Sequence, residues 1–126
     1  MSGFTFDTGV VVDILAGHEP ARSELQRALS RGERVWVSRL TWTEVASQAT
    51  AACVRDVEAF MAGFSVDEVD EEIASRAASL RRERSTLGLL EAVVFATAMT
   101  RGRVLITRNS KDFPAAMPGV RIPYTL

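Results

Sequence analysis

The alternation of short apolar runs with longer stretches of helical periodicity is the feature that most constrains the fold of this chain. The apolar runs are rich in β-branched and aromatic residues and cover residues 4–6, 35–37, 65–69, 104–107 and 120–122. Runs this short and apolar are typical of strands in a parallel sheet that is covered on both faces. Strands alternating with helices in this way predict an α/β fold, a three-layer α/β/α domain with a mostly parallel sheet.

The longer stretches are predicted helices whose ends are marked by capping and breaking residues. Pro20 suits the first turn of a helix, Gly32 ends that helix, and Asp70 caps a later one. The predicted helices start near Pro20, Thr41, Val54, Asp70 and Leu87. Residues 10–12 are ambiguous, because three consecutive valines favour a strand whereas the apolar residues that follow them permit a helix.

Length and composition fit one globular domain spanning residues 1–126, with 47% hydrophobic and 25% charged residues. No apolar run approaches the roughly 18 to 20 residues that a membrane span needs, and residues 1–4 do not start a signal peptide. Cys53 is the only cysteine, which excludes an internal disulfide, so we expect a cytoplasmic protein. We also expect Cys53 to be a small buried residue on a helix.

The residue types present exclude several chemistries. With one histidine and one cysteine, the chain cannot build a zinc site from clusters of those residues. A Ser-His-Asp triad is possible only through His18. The formal net charge of −1 gives no basic excess from which nucleic-acid binding would follow. Any catalytic chemistry in this chain must therefore depend on carboxylates.

Four acidic residues are predicted to meet at one edge of the sheet. Asp7 ends the first strand and Asp112 follows the fourth, while Glu44 and Glu91 lie in early helical turns. Ligands of parallel sheets bind outside the carboxyl ends of the strands, and the crossover helices begin at the same edge. Carboxylates gathered there repel one another unless a cation offsets their charge, and oxygen ligands favour Mg²⁺ or Mn²⁺. The sequence therefore predicts a divalent-metal site at this edge.

Each acid also has a purely structural interpretation. Residues 41–44 match a capping box, Asp7 could cap the following helix, and Asp112 could be a turn residue. Glu91 could interact with the dipole of its own helix. It is, however, the only charged residue between positions 87 and 100, and a buried carboxylate is costly unless it is paired or bound to metal. The joint position of the four acids favours the metal site over four separate structural roles.

At these residues the sequence resembles the PIN-domain family, particularly the toxin nucleases of VapBC-type toxin–antitoxin pairs. The matching segments are FDTGVVVD at residues 6–13, LTWTEVA at 40–46, LEAVVFATA at 90–98 and VLITRNSKDF at 104–113. They occur in the family's order and span most of the chain. Any one segment is a weak signal, whereas four in order are fairly specific.

The resemblance implies an Mg²⁺- or Mn²⁺-dependent endoribonuclease, the toxin component of such a pair, with a five-stranded parallel sheet and a homodimeric assembly. It implies hydrolysis of RNA phosphodiester bonds to 5′-phosphate and 3′-hydroxyl ends. It also implies a cognate antitoxin whose tail crosses the early helices and places a basic side chain in the acidic site. Trp42, Phe60 and Phe64 are candidates for lining that groove, with a place in the buried core as the alternative.

The resemblance also assigns roles to individual residues. The implied catalytic residues are Asp7, Glu44, Glu91 and Asp112. The implied metal ligands among them are Asp7, Glu91 and Asp112. Supporting polar residues that orient the acids are Thr8, Thr107 and Asn109, and Asn109 lies where some relatives have the fourth acid. Arg108 and Lys111 are candidates for contacts to RNA phosphates, with solvated surface charge as the alternative.

Two positions depart from the family's usual pattern. The family usually has Asp where this chain has Glu91, and Ser, Thr or Asn where it has Gly9. Glutamate carries its carboxylate one methylene farther from the backbone, and metal ligands must be placed to within about 0.5 Å. The alternative function is therefore a catalytically weakened PIN-like protein-interaction module.

Two other enzyme classes share part of the first motif. Asp7-Thr8-Gly9 matches the triplet of aspartic proteases, but those enzymes are almost wholly β and this chain is rich in helical segments. A haloacid-dehalogenase-type phosphatase needs a second aspartate two residues after the first, where this chain has Gly9. We discount both classes.

Overall fold

A computed structural model of the chain describes residues 3–126. Met1 and Ser2, on which part of the signal-peptide expectation depends, lie outside the described residues. The elements in chain order are β1 (Phe4–Phe6), α1 (Thr8–Leu15), α2 (Glu19–Ser30), β2 (Val35–Ser38), α3 (Arg39–Ser47), α4 (Val54–Met61), β3 (Ser65–Asp67), α5 (Glu71–Glu83), α6 (Leu89–Thr100), β4 (Val104–Ile106) and β5 (Val120–Arg121).

The strands form one five-stranded sheet in the order β3-β2-β1-β4-β5, and all four strand pairs are parallel. β1 lies at the centre, where Thr5 is in register with Trp36 of β2 and Leu105 of β4. Parallel pairing brings the carboxyl ends of β1 and β4 to the same edge, so Asp7 and Thr107 leave the sheet side by side. The predicted five-stranded parallel α/β fold is confirmed.

Each face of the sheet carries its own hydrophobic core. Ile106 of β4 packs in the first core, with buried residues of α1 to α4. Leu105, its neighbour in the chain, packs in the second core, with buried residues of α5 and α6. Because adjacent residues of a strand point to opposite faces, the helices cover both sides of the sheet. This is the three-layer arrangement that the sequence predicts.

The differences from the predicted elements are local and have physical causes. The three valines at 10–12 are helical, because Asp7 caps α1 and two of them pack in the first core. The expected start of a helix at Thr41 is wrong, since Ser38 is the cap and its side chain accepts a hydrogen bond from the Leu40 N–H. The third strand ends at Asp67 rather than at residue 69. No helix within residues 3–126 is long and apolar enough to cross a membrane.

Candidate active site

Asp7 is the buried acid of the predicted site, and both of its carboxylate oxygens accept hydrogen bonds. It follows β1, and only 9% of its surface is exposed. One carboxylate oxygen accepts a hydrogen bond from the Thr8 backbone N–H at 2.8 Å. The other accepts one from the Thr107 hydroxyl at 2.6 Å, and this hydroxyl in turn accepts the Asn109 N–H at 3.0 Å. The side chain therefore caps α1, as the structural interpretation requires, and is also fixed from β4.

Burial raises the pKa of Asp7 above its usual value, and the negative charge of Glu91 adds to this effect. The hydrogen bonds from Thr107 and Thr8 and the positive charge of Arg108 act in the opposite direction. A carboxyl group with these surroundings is costly to ionise without a further cation. Its environment suits a metal ligand better than a simple helix cap, because a cap alone does not require burial.

A cavity of about 490 Å³ opens beside Asp7 at the carboxyl edge of the sheet. All four sequence motifs contribute to its polar lining, which consists of Asp7, Thr8, Glu44, Glu91, Arg108, Asn109, Ser110 and Lys111, together with Gln48 just after the second motif. Three of the four predicted acids thus face one space. Glu44 is exposed on α3 and Glu91 is half-buried at the start of α6. The Glu44 capping-box interpretation fails, since α3 is capped by Ser38.

The structure places Asp112 differently from the other three acids. Its carboxylate accepts a hydrogen bond from the Asn109 side-chain amide at 2.9 Å, and its own N–H donates to the Asn109 side-chain oxygen at 3.2 Å. Asn109 lines the cavity and Asp112 does not. Arg84 donates to the Asp112 carbonyl oxygen at 2.6 Å, which anchors this loop to the end of α5. The amide of Asn109 therefore stands between Asp112 and the space that the other acids share.

Glu91 also has a position that its sequence does not reveal. Its carboxylate lies directly against Gly88, the cap residue of α6, where an added side chain would collide with it. The longer side chain thus folds back along its own helix. Glu91 is still close enough for its charge to raise the pKa of Asp7. The family's shorter aspartate could not reach back in this way.

The donor set fits a hard divalent cation bound through few protein oxygens. Within residues 3–126, no three His, Cys, Asp or Glu side chains are close enough together to enclose an ion. Mg²⁺ does not require such an enclosure, since it keeps several waters and is often held by one or two carboxylates and the phosphates of its substrate. Asp7 and Glu91 supply two such carboxylates beside an open cavity.

Two residues that hold Arg108 beside the cavity were not predicted from the sequence. Asp13 on α1 is buried, and its carboxylate accepts hydrogen bonds from Arg108 at 2.6 Å and from the Tyr124 hydroxyl at 2.7 Å. A signal for Asp13 existed, because it is the only charged residue in the apolar helix α1, the same argument that selected Glu91. No sequence signal identified Tyr124, which lies beyond the last strand.

The fold and this acid-lined cavity define an α/β/α domain with its candidate site at the carboxyl edge of a parallel sheet. The chain belongs to the PIN-domain family, whose model matches residues 4–116. PIN domains are generally nucleases and generally use divalent metals.

The solved structures similar to this chain include chains of toxin–antitoxin complexes. A chain of a toxin–antitoxin complex from Klebsiella pneumoniae is 32% identical, with a TM-score of 0.87, over 97% of this chain and 98% of that one. A chain of DNA-bound VapBC from Salmonella typhimurium is 26% identical, with a TM-score of 0.75, over 97% of each chain.

A chain of FitAcB from Neisseria gonorrhoeae shares the fold, with a TM-score of 0.77 at 21% identity over 98% of this chain and 99% of that one. No curated protein sequence matches the chain. The resemblance to the PIN-domain toxins of VapBC-type pairs, expected from the sequence, is confirmed.

Proposed function

We propose that this chain is a metal-dependent endoribonuclease and the toxin of a toxin–antitoxin pair, with residues 1–126 as a single cytoplasmic nuclease domain. The observation that carries the proposal is the buried Asp7 carboxylate, which has a raised pKa and opens onto a cavity shared with Glu44 and Glu91. The family and the toxin–antitoxin structures similar to this chain support the same conclusion.

Asp7 and Glu91 would hold Mg²⁺ or Mn²⁺, with Asp112 as a third ligand if Asn109 releases it. When bound, the ion supplies positive charge beside a phosphoryl oxygen and lowers the pKa of water. Thr107 and Thr8 hold the Asp7 carboxylate in one orientation. Glu44 is exposed at the cavity and can accept the proton that the attacking water loses.

RNA would enter from the side of the cavity lined by Arg108 and Lys111. Lys111 is exposed and Arg108 is half-buried, so both can reach a phosphate. Their positive charge would offset the repulsion between RNA and the acidic residues. We also expect a homodimer, which light scattering would show as twice the 13.8 kDa mass of one chain.

Incubation of total RNA with the purified protein tests the proposal. We expect cleavage with Mn²⁺ or Mg²⁺, none with chelator, and 5′-phosphate ends when the cut sites are mapped. Asp7→Asn should lower the rate by at least about a hundredfold, because one charged ligand is lost while the cap on α1 survives. Cleavage that persists in chelator, or that is undiminished in Asp7→Asn, would contradict the metal-dependent mechanism.

An apolar groove next to the acidic cavity supports an antitoxin partner. It has a volume of about 370 Å³ and is lined by α1, α3 and α4, including Leu15, Val45 and Val57. Val12 and Gln48 line both the groove and the cavity, so the two are continuous. We propose that an antitoxin segment lays an apolar face on this groove and extends a basic side chain into the cavity.

The groove differs from the one expected from the aromatic residues. Phe64 is buried, and Trp42 and Phe60 are half-buried against the first core, which fits the alternative of core residues. Cys53 is half-buried, not buried as expected, and lines the groove.

Leu15→Glu should weaken retention of a co-expressed antitoxin, whereas Leu29→Glu, at an exposed position on α2, should not. Equal retention of the antitoxin by both variants would contradict this docking site.

A second candidate function is a protein-interaction module with a weakened metal site. The observation that favours it is the Glu91 carboxylate folded back on Gly88. A chain of this kind would bind antitoxin through the groove but neither bind Mn²⁺ nor cleave RNA.

A further inference from the structure

Arg108 occupies a socket built by Gly9 and Asp13 of α1 and by Tyr124, which lies 111 residues after Asp13. Its Nε donates to Asp13 at 2.6 Å, and the Tyr124 hydroxyl donates to the same carboxylate oxygen at 2.7 Å. The ring of Tyr124 packs against the ring of His18, with 4.9 Å between the two centroids. Helix α1, the loop after β4 and the segment after β5 thus converge on one guanidinium.

Gly9 provides the space that this arrangement needs. A Cβ atom at residue 9 would lie 3.2 Å from Arg108 Cζ and 3.3 Å from Nε and Nη2, which is tighter than normal packing. The guanidinium therefore passes directly over the first turn of α1. This contact gives a physical reason for the absence of the larger Ser, Thr or Asn at this position.

The socket leaves part of the guanidinium available. The Nε atom is occupied by Asp13, and the Tyr124 hydroxyl also interacts with the guanidinium, whereas Arg108 forms no ion pair within residues 3–126 besides the one with Asp13. Arg108 lines the acidic cavity, and its charge lowers the pKa of Asp7, so it lies near the acids. A guanidinium held through its Nε presents its terminal N–H groups in a fixed direction, and this geometry suits the oxygens of a phosphate.

Tyr124 acts on Asp13 as a permanent donor. Burial, together with its hydrogen bond to Asp13, raises the pKa of Tyr124 well above its usual value. The hydroxyl therefore stays protonated at any physiological pH. With two donors on one oxygen, the Asp13 carboxylate is held in place and holds Arg108 in turn.

We propose that Asp13, Tyr124 and Gly9 position Arg108 so that its terminal nitrogens bind a phosphate of the RNA substrate beside the acidic site. The proposal rests on the ribonuclease function proposed above. Arg108 touches the substrate, whereas Asp13 and Tyr124 are positioning residues that act through it. A purely structural role would instead make Arg108 only the partner that neutralises the buried Asp13.

Equilibrium binding of a fluorescein-labelled single-stranded RNA, followed by anisotropy with Ca²⁺ in place of the Mg²⁺ or Mn²⁺ used for cleavage and with the RNA checked to be intact, separates the two roles independently of cleavage. Gly9→Ala and Tyr124→Phe should each weaken binding about fivefold to tenfold, in proteins that circular dichroism shows to be folded at the temperature of the measurement. Arg108→Ala should weaken it at least as much and reduce the slope of log affinity against log salt by about 0.7. Gly63→Ala, which adds a methyl at a glycine away from the cavity, is the matched control and should leave the affinity unchanged.

Non-additivity provides the decisive comparison. In an Arg108→Ala background, Gly9→Ala and Tyr124→Phe should have no further effect on RNA affinity, because both act through Arg108. Wild-type affinity in Gly9→Ala and Tyr124→Phe would overturn the socket while leaving the nuclease function intact. A wild-type chain that binds no RNA would overturn both proposals. Arg108-dependent binding without cleavage would support the socket and contradict only the catalytic step.

Discussion

Asp7 combines a buried position with an ionisable group that the fold alone does not neutralise. Thr8 and Thr107 satisfy its oxygens, and Arg108 offsets part of its charge. Burial still dominates, and the pKa of Asp7 is raised. The folded chain therefore binds this proton more tightly than the unfolded chain. The stability due to Asp7 is present below its unfolded pKa and is lost as the pH rises through its folded pKa.

Asp7→Asn should consequently stabilise the metal-free protein at pH 7 and raise its thermal midpoint by a few degrees. The gain should shrink as the pH falls, because Asp7 becomes protonated in the wild type. Differential scanning fluorimetry across pH measures both effects. Mn²⁺ should raise the midpoint of the wild type but not that of the variant.

Glu58→Gln, at an exposed position on α4, is the control for loss of a carboxylate and should change neither the midpoint nor its pH dependence. If metal-free Asp7→Asn melts below the wild type at pH 7, the buried Asp7 carboxylate does not destabilise the folded protein, and the prediction is contradicted.

Glu91 shows how one methylene can matter at this site. The sequence identifies Glu91 as unusual, since it is an acid in an apolar helix, but it cannot show that the carboxylate lies against Gly88. That contact depends on the φ and ψ angles of the helix cap and on the absence of a Cβ at residue 88. Rotamers of this kind are set by packing and cannot be predicted from sequence spacing.

Glu91→Asp should strengthen Mn²⁺ binding by about tenfold, or about 1.4 kcal/mol, because the shorter side chain cannot fold back on Gly88. Titration calorimetry gives the affinity directly. Glu83→Asp, at an exposed position on α5, makes the same chemical change away from the cavity and should have no effect. Weaker binding in Glu91→Asp would show that the glutamate is the better ligand in this fold.

The start of α3 shows where prediction of an element failed. Residues 41–44 match a capping box, yet Ser38 caps the helix, and Thr41 is buried and accepts a hydrogen bond from the Thr8 hydroxyl at 3.1 Å. Both threonine and serine are good caps, so local propensity does not choose between them. Tertiary contact with α1 decides, and that contact is not visible in the sequence of α3.

Ser38→Ala should destabilise the protein by about 1 kcal/mol, because the cap on the Leu40 N–H is lost. Urea denaturation measures the change in the free energy of unfolding. Thr43→Ala removes an exposed hydroxyl from the same helix and should cost less than about 0.5 kcal/mol. Equal losses in the two variants would show that Ser38 does not act as the cap.

The strands were predictable because a strand of a parallel sheet is buried on both faces and therefore reads as a short apolar run, as in β1 and β4. Most helices were predictable from the longer stretches of helical periodicity between those runs. α1 was ambiguous, because its valines suit a strand. The cap at Asp7 and the packing of these valines in the first core favour the helix instead. Asp7, Glu44 and Glu91 were predictable together, because topology brings the end of β1 and the starts of α3 and α6 to one edge, whereas the pairing of Asp112 with Asn109 was not. Asp13 and Tyr124 required knowledge of which elements pack on α1.

At the scale of the whole molecule, the acidic cavity and the apolar groove form one continuous surface. The cavity carries the carboxylates and Arg108, and the groove carries apolar residues of α1, α3 and α4. Substrate and antitoxin would therefore compete for neighbouring parts of one face. Under the proposed function, an antitoxin bound there would inhibit RNA cleavage by occupying the active site.

Titration calorimetry of the purified protein with Mn²⁺ tests the central claim most directly, since the cavity must bind a divalent cation before any RNA chemistry can occur. We expect saturable binding in the wild type and its loss in Asp7→Asn, with both proteins folded by circular dichroism. Absence of binding heat in the wild type, or the same affinity in Asp7→Asn, would contradict the assignment of this cavity as a metal-dependent active site.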